Sequence, residues 1–217
     1  MVVDSADESA GLLDRLKGGD AQALATLFAQ QRPRLLRMVE FRLDARLQGR
    51  VEAEDVLQEA YLDAAKRVQH FADDTSRSFF IWLRMVVMQT LIDTHRRHLG
   101  AQMRDAGREM GVPGPPCSQA TSFSLAASLL GRFTSPTLAA RRAEMAEQLR
   151  AAVEEMDPLD REVLALRHFE ELTNSEVAEE LGIEQKAASI RYVRALRRLK
   201  DLLGGIPGFA EAFARGI

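Results

Sequence analysis

Apolar residues recur at helical spacing along most of the chain, and short polar breaks divide this pattern into separate helices. The first periodic stretch, residues 9–30, is interrupted at residues 18–20, where Asp20 is placed to cap a second helix. Residues 52–70 and 79–99 show the next two strong helical patterns. The N-terminal part of the chain is therefore predicted to consist of helices, with a loop over residues 71–79.

The chain changes character after residue 100, where Gly, Pro and Ser become frequent. Residues 101–137 are predicted to be a linker with one short helical segment near residues 125–130. The apolar content of this linker indicates that it docks on this protein or on a partner. Residues 138–203 are predicted to form one domain of four helices, followed by a tail over 204–217. We expect an all-α fold of two small helical domains, the first over 1–100, joined by a flexible linker.

Residues 173–203 have the pattern of a helix-turn-helix. Thr173 and Glu176 match a capping box, and Gly182 stands where a helix end needs a left-handed residue. The second helix is rich in cations, namely Lys186, Arg191, Arg194, Arg197, Arg198 and Lys200. A basic second helix favours binding in a DNA major groove. The fold of this domain is expected to be winged-helix-like or a similar helix-turn-helix type. The alternative is an antiparallel helical pair whose charged face is only solvated.

Composition narrows the kind of nucleic-acid binding that is possible. The 217 residues carry a formal net charge of −3, and the isoelectric point is about 5.9, so the whole molecule is not a general polyanion binder. Any DNA contact must come from local basic patches. Cys117 is the only cysteine, which excludes an intramolecular disulfide. The sequence has no secretory signal pattern and no apolar run of membrane-spanning length, so we expect a cytoplasmic protein.

Two groups of residues are candidates for chemistry. Asp55, Gln58 and Glu59 stand at i, i+3 and i+4 and share one helix face. No further ligand lies within reach by sequence spacing, so a solvated face or an acidic partner-binding patch is favoured over a metal site. His95 and His98 have a spacing that can chelate a metal, but no other residue completes a set. We predict no catalytic residue, metal site or cofactor.

Three segments in order resemble the extracytoplasmic-function (ECF) sigma factors of bacteria, which direct RNA polymerase to promoters. They are EAEDVLQEAYLDA, FFIWLRMVVMQTLIDTHRRH, and LDREVLALRHFEELTNSEVAEELGI with IRYVRAL after it. The sequence GAQMRD resembles a planctomycete-type branch of that family. The resemblance implies that domain 1–100 corresponds to sigma region 2 and domain 138–203 to sigma region 4. It also implies a specificity subunit that is not an enzyme.

The resemblance assigns Asp55, Gln58 and Glu59 to docking on the basic clamp helices of the polymerase β′ subunit. It assigns these residues to the −10 element: Phe71, Ser76, Arg77, Trp82, Arg84, Gln89, Asp93, Arg96 and Arg97. Residues 71–79 take the place of the loop that captures a flipped base. Trp82 matches an aromatic position that the family associates with opening of the DNA strands, and core packing is an equally supported role for it. Gln89 replaces the Asn that the family often has.

The resemblance assigns the second helix of the helix-turn-helix to the −35 element. The implied contacts are Lys186, Ser189, Ile190, Arg191, Val193, Arg194 and Arg197. Ile190 and Val193 suit thymine methyl groups, and Arg194 suits a guanine edge. Ala187 and Ala188 replace the usual Thr and Val, which removes a hydroxyl near the helix start. The implied partners are core polymerase, including the β flap, promoter DNA, and an anti-sigma factor or other regulator.

Two other functions are compatible with parts of the pattern. A classical helix-turn-helix regulator would bind operator DNA as a dimer, but no sensor domain is apparent and the acidic helix would have no role. A hydrolase using His95 and His98 would need a nucleophile, a phosphate loop or a metal-ligand set, and the sequence offers none of these.

Overall fold

The computed structural model describes residues 4–47, 49–73, 77–106, 116–131 and 139–206. These residues form helices and short turns, and no strand occurs among them, so the predicted all-α fold of two helical domains is confirmed. The chain divides into two compact units, Met1–Met110 and Gly111–Ile217, which we call the N unit and the C unit. None of the helices in the described ranges has the length and apolar content needed to cross a membrane.

The N unit contains α1 (Asp4–Lys17), α2 (Ala21–Arg42), α3 (Ala53–Asp73) and α4 (Phe79–Ala106), with a 3-10 turn over Ala45–Leu47. Helices α2, α3 and α4 pack against one another, and α1 covers α2 and α3. Their apolar stripes meet in a core whose largest fully buried side chains are Leu35, Met38, Leu47, Leu57, Ile81, Leu83 and Leu91.

Local sequence determines where α1 ends and α2 begins. Asp20 caps α2 by accepting a hydrogen bond from the backbone N–H of Gln22 at 2.9 Å, as predicted. Arg15 on α1 forms a salt bridge with the same carboxylate at 2.7 Å. Helix α2 then continues through Pro33 to Arg42 without a break. Pro33 is exposed, so the backbone carbonyl that loses its partner there can be solvated.

The C unit contains α5 (Pro116–Gly131), α6 (Ala139–Glu154), α7 (Pro158–Leu164), a π-turn (Ala165–Phe169), α8 (Asn174–Leu181) and α9 (Gln185–Gly204). Helix α9 packs against α6, α7 and α8. One part of the core joins Leu149 and Ala152 of α6 to Leu203 and to Ile206 beyond α9. Helix α7 ends at Leu164 and is followed directly by the wider π-turn.

The described residues in the region predicted as a linker are helical. Helix α4 extends to Ala106, beyond the predicted start of the linker, and α5 is longer than the segment expected near residues 125–130. Helix α5 packs on α6 and α7, and Leu125 and Ala126 are buried there. This packing explains the apolar content of the segment. Residues 107–115, 132–138 and 207–217 lie outside the described residues.

The helix-turn-helix forms as its local signals predicted. Thr173 and Glu176 make both hydrogen bonds of the capping box at the start of α8. Gly182 ends α8 in the left-handed conformation, with φ of 62°. Asp157 caps α7, and Pro158 occupies the first turn of that helix.

Candidate functional site

The acidic face of α3, which consists of Asp55, Gln58 and Glu59, is exposed to solvent. Asp55 lies in the first turn, where the helix dipole favours negative charge, and Glu54 beside it pairs with Arg32 of α2. The three side chains lie on the solvent side of α3 because the apolar residues of this helix point into the core. The structure thus brings the residues predicted for polymerase docking together on one surface.

An apolar groove lies beside this face and was not predicted from the sequence. It is lined by Phe28 and Arg32 of α2 and by Glu54, Leu57, Gln58, Tyr61 and Leu62 of α3. The rings of Phe28 and Tyr61 meet edge to face, with centroids 5.1 Å apart. Leu62 is 59% exposed, although leucine is usually buried. The position of Leu62 outside the apolar stripe of α3 is the feature of the sequence that could have indicated an exposed apolar surface.

The aromatic residues assigned to the −10 element lie in the core of the N unit. Phe71, Phe79 and Trp82 are buried, and their ring centroids are 4.9 to 5.7 Å apart. Arg84 was also assigned to the −10 element but is only 2% exposed. Burial of this kind favours a packing role for Trp82 and Arg84 over direct contact with DNA.

The loop between α3 and α4 is described only in part. Ser76 lies outside the described residues. Arg77 is exposed, and its Nη1 lies 3.8 Å from the sulfur of Met85, which is itself 41% exposed on α4. Arg77 therefore remains available for a phosphate.

The polar face of α4, which consists of Gln89, Asp93, Arg96 and Arg97, is exposed along two turns. The amide of Gln89 donates to both carboxylate oxygens of Asp93 at 3.2 Å, and Arg96 lies 3.5 Å from the same residue. Arg97 reaches across to α3 and pairs with Glu59 at 2.6 Å. Glu59, which was assigned to polymerase docking, and Arg97, which was assigned to the −10 element, are thus in direct contact.

His95 has a structural partner. Its Nε2 accepts a hydrogen bond from the backbone N–H of Asp44 at 3.3 Å, and burial lowers the pKa of this imidazole. A neutral ring that accepts from the backbone holds the turn after α2 against α4. His98 is exposed on the next turn of α4.

Helix α9 presents an unusual mixed surface to solvent. Ile190 and Val193 are 58% and 46% exposed, and the cations Lys186 and Arg197 are exposed as well. Leu196 is also exposed and was not assigned in the sequence. Apolar and cationic groups on one open helix face suit a DNA groove, in which thymine methyl groups lie between phosphates.

Ser189 has a different environment from the other predicted base contacts. Its hydroxyl accepts a hydrogen bond from Asn174 of α8 at 2.8 Å and donates to the carbonyl oxygen of Gln185 at 3.2 Å. These bonds join α8 to α9 and use the hydroxyl within the domain. The geometry favours a packing role for Ser189 over base reading.

Arg191 and Arg194, which we call the arginine pair, converge on one carboxylate. Arg191 Nη1 donates to Asp160 Oδ1 at 2.9 Å, while Arg194 Nε and Nη2 donate to Oδ2 and Oδ1 at 2.8 and 2.7 Å. Burial of Asp160 opposes its charge, but the two guanidinium groups outweigh this effect and hold the pKa of the carboxyl below its ordinary value. Asp160 was not identified in the sequence, because only the crossing of α7 and α9 brings it to the arginine pair.

Both units match known families. Residues 27–99 match the model for sigma-70 region 2, and residues 146–199 match the model for sigma-70 region 4. RNA polymerase sigma-H factor of Pseudomonas aeruginosa is 28% identical over 197 residues, which cover 88% of this chain and 92% of that protein. ECF RNA polymerase sigma factor SigD of Mycobacterium bovis is 26% identical over 183 residues, covering 84% and 78%. The structure of CnrH in complex with the cytosolic domain of CnrY is 23% identical, covers 88% and 94%, and gives a TM-score of 0.47.

A region 2 unit followed by a region 4 helix-turn-helix defines a sigma-70-type promoter-specificity factor. The chain belongs to the ECF family of these bacterial sigma factors. It directs RNA polymerase core to promoters for transcription initiation, and the classical operator-binding regulator is not favoured. Proteins of this family are initiation factors and not enzymes.

Proposed function

We propose that the two units divide promoter recognition between them. The N unit docks on core polymerase and engages the melted −10 element, whereas the C unit reads duplex −35 DNA. The observation that carries this division is the contrast between the exposed acidic face of α3 and the exposed apolar and cationic face of α9. The first surface suits a basic protein partner, and the second suits a DNA groove.

The acidic face of α3 contacts the basic clamp helices of the β′ subunit in this proposal. Asp55 and Gln58 are exposed and supply charge and hydrogen bonds. Leu62 and the apolar groove beside them add desolvated contact area at the centre of the interface. Charge complementarity then orients the complex, and the groove contributes to its lifetime.

The polar face of α4 engages the −10 strand. Arg96 and Arg97 bind phosphates, while Gln89 and Asp93 present hydrogen-bonding groups to bases. Arg77 lies near the start of α4 and extends this cationic surface. Phe71, Trp82 and Arg84 are buried, so in this proposal they stabilise the N unit by packing and do not contact DNA.

The C unit places α9 in the major groove. Ile190 and Val193 contact thymine methyl groups, Arg194 reads a guanine, and Lys186 and Arg197 bind phosphates. A contact with the β flap holds this unit at the −35 distance, and an anti-sigma factor or another regulator masks one of the surfaces. The net charge of −3 is consistent with weak DNA binding by the free protein. A factor that acts with polymerase is expected in the cytoplasm.

Replacement of Asp55 by Arg tests the docking assignment. The change puts a positive charge against basic helices, so we expect the affinity for core polymerase to fall by about a hundredfold or more. Titration of labelled variant with purified core gives the affinity, and run-off transcription gives the activity. Glu40→Arg makes the same charge change at an exposed position of α2 and is expected to bind normally.

Normal holoenzyme assembly by Asp55→Arg would show that α3 is not the docking surface. Run-off transcription by the wild-type protein also separates the remaining functions. A classical regulator would bind DNA without core polymerase and would not support initiation.

A further inference from the structure

Asp160 is a buried carboxylate at the crossing of α7 and α9. It lies in the first turn of α7, and its side chain is 8% exposed. The cap at Asp157 and the packing of α7 against α9 fix its backbone. All three side-chain hydrogen bonds made to it by the arginine pair come from α9, which is the helix that faces DNA in the proposed function.

The geometry of the Arg194 contact leaves one edge of the guanidinium free. Nε and the inner hydrogen of Nη2 bind the two oxygens of Asp160, which is a side-on, bidentate arrangement. The outer edge, formed by Nη1 and the second hydrogen of Nη2, keeps two parallel donors. The Arg194 side chain is 55% exposed although it is paired, so this edge lies toward solvent. Two parallel donors match the O6 and N7 atoms of guanine.

Arg191 makes a single hydrogen bond to the same carboxylate, whereas Arg194 makes two. It binds through Nη1 alone, and its side chain is 30% exposed. Its charge and that of Arg194 together compensate the buried carboxylate of Asp160. The arrangement therefore has a fixed inner part, Asp160 with Arg191, and an outer part that faces the groove.

We propose that Asp160 is a positioning residue for promoter reading, which holds the outer edge of Arg194 toward one guanine of the −35 element. This inference rests on the proposed function of α9. A free arginine samples many rotamers, and Asp160 restricts Arg194 to the one that aligns both donors with a base. Asp160 thereby sets the sequence preference at one position without touching DNA.

Holoenzyme selection from a promoter library randomised across the −35 element tests this role. Asp160→Asn keeps the shape of the side chain but replaces one acceptor oxygen with a donor, so side-on pairing is lost. We expect the preference for guanine at one position to fall about tenfold, with the other positions unchanged. Arg194→Ala should weaken preference at the same position, and the double variant should resemble Arg194→Ala alone.

Two further variants make the result decisive. Glu155→Gln removes an exposed carboxylate that lies 3.5 Å from Arg198 of α9, and it should leave the profile unchanged. Asp160→Glu keeps the charge but displaces the guanidinium, so it should lose the same preference even if Asp160→Asn folds poorly. The melting temperature of each variant shows how much of the change is structural.

Three results would overturn the inference: an even loss of affinity at all −35 positions, additive effects in the double variant, or a normal profile for Asp160→Glu. Each would make Asp160 a purely structural partner of α9. If Arg194→Ala itself leaves the profile unchanged, the proposed reading role of α9 fails instead. The two failures are therefore distinguishable in one experiment.

Discussion

The two helices proposed to face DNA hold their arginines in different ways. On α4, Arg96 and Arg97 pair with Asp93 and Glu59, and the four side chains are 45% to 67% exposed. On α9, Arg191 and Arg194 pair with one buried carboxylate, Asp160. Exposed pairs exchange easily with water and with other ions, whereas a buried acceptor fixes the donors that reach it.

This difference corresponds to the tasks of the two surfaces. Melted DNA is flexible, so a surface for it gains from side chains that can follow the strand. A duplex groove is rigid, and reading a base there depends on donors that are already aligned. The comparison predicts that changes in the C unit alter stability and specificity, while changes on the face of α4 mainly alter the salt dependence of DNA binding.

The largest effect on stability is expected for Asp160→Ala. Three charged hydrogen bonds between α7 and α9 are lost, although the exposed arginines regain water, so we expect the C unit to be destabilised by about 2 kcal/mol. Hydrogen exchange of α7 and α9 amides in the full chain measures this change. Unchanged protection there would show that the buried pairing does not hold α9.

The pH dependence of the free energy of unfolding provides an internal control for that result. The pKa of Asp160 in the folded protein lies below its ordinary value of 3.8. Its stabilisation is thus complete above that value and is lost as the pH falls through the lower, folded pKa. The difference between wild type and Asp160→Ala should be constant near neutral pH and should shrink only in strong acid.

A smaller effect is expected at the turn of the helix-turn-helix. Gly182 has φ of 62°, and a Cβ added there would meet no atom within 4 Å, so only backbone strain opposes a side chain. Gly182→Ala should therefore destabilise the C unit by about 1 kcal/mol. Gly204→Ala at the end of α9 is the matched control, since it is helical and equally open. This variant should be neutral or slightly stabilising, and equal losses in both would contradict the explanation.

The sequence predicted those parts of the site that depend on neighbouring residues. The capping box of Thr173 and Glu176 and the left-handed Gly182 follow from local hydrogen bonding. Ile190 and Val193, which lie on the exposed face of α9, were assigned through the resemblance to ECF sigma factors. Helix α5 was underestimated because Ser and Thr have weak helix propensity, which packing against α6 and α7 overrides.

Contacts between helices could not be predicted in the same way. The pairs Asp160 with Arg194 and Glu59 with Arg97 join residues 34 and 38 positions apart. Their formation depends on the angle at which two helices cross, and no periodicity encodes that angle. Burial of Arg84 has the same origin, because it depends on how other helices cover residues 79–84 at the start of α4.

The smallest effect on stability is expected for the exposed pair of Glu59 and Arg97 in the N unit. Glu59→Gln removes the salt bridge to Arg97, and because both side chains are about half exposed, the N unit should lose less than about 1 kcal/mol. The loss should disappear in high salt, whereas the loss caused by Asp160→Ala should persist. Urea unfolding at two salt concentrations measures both. A large, salt-independent loss in Glu59→Gln would mean that the two units hold their arginines in the same way.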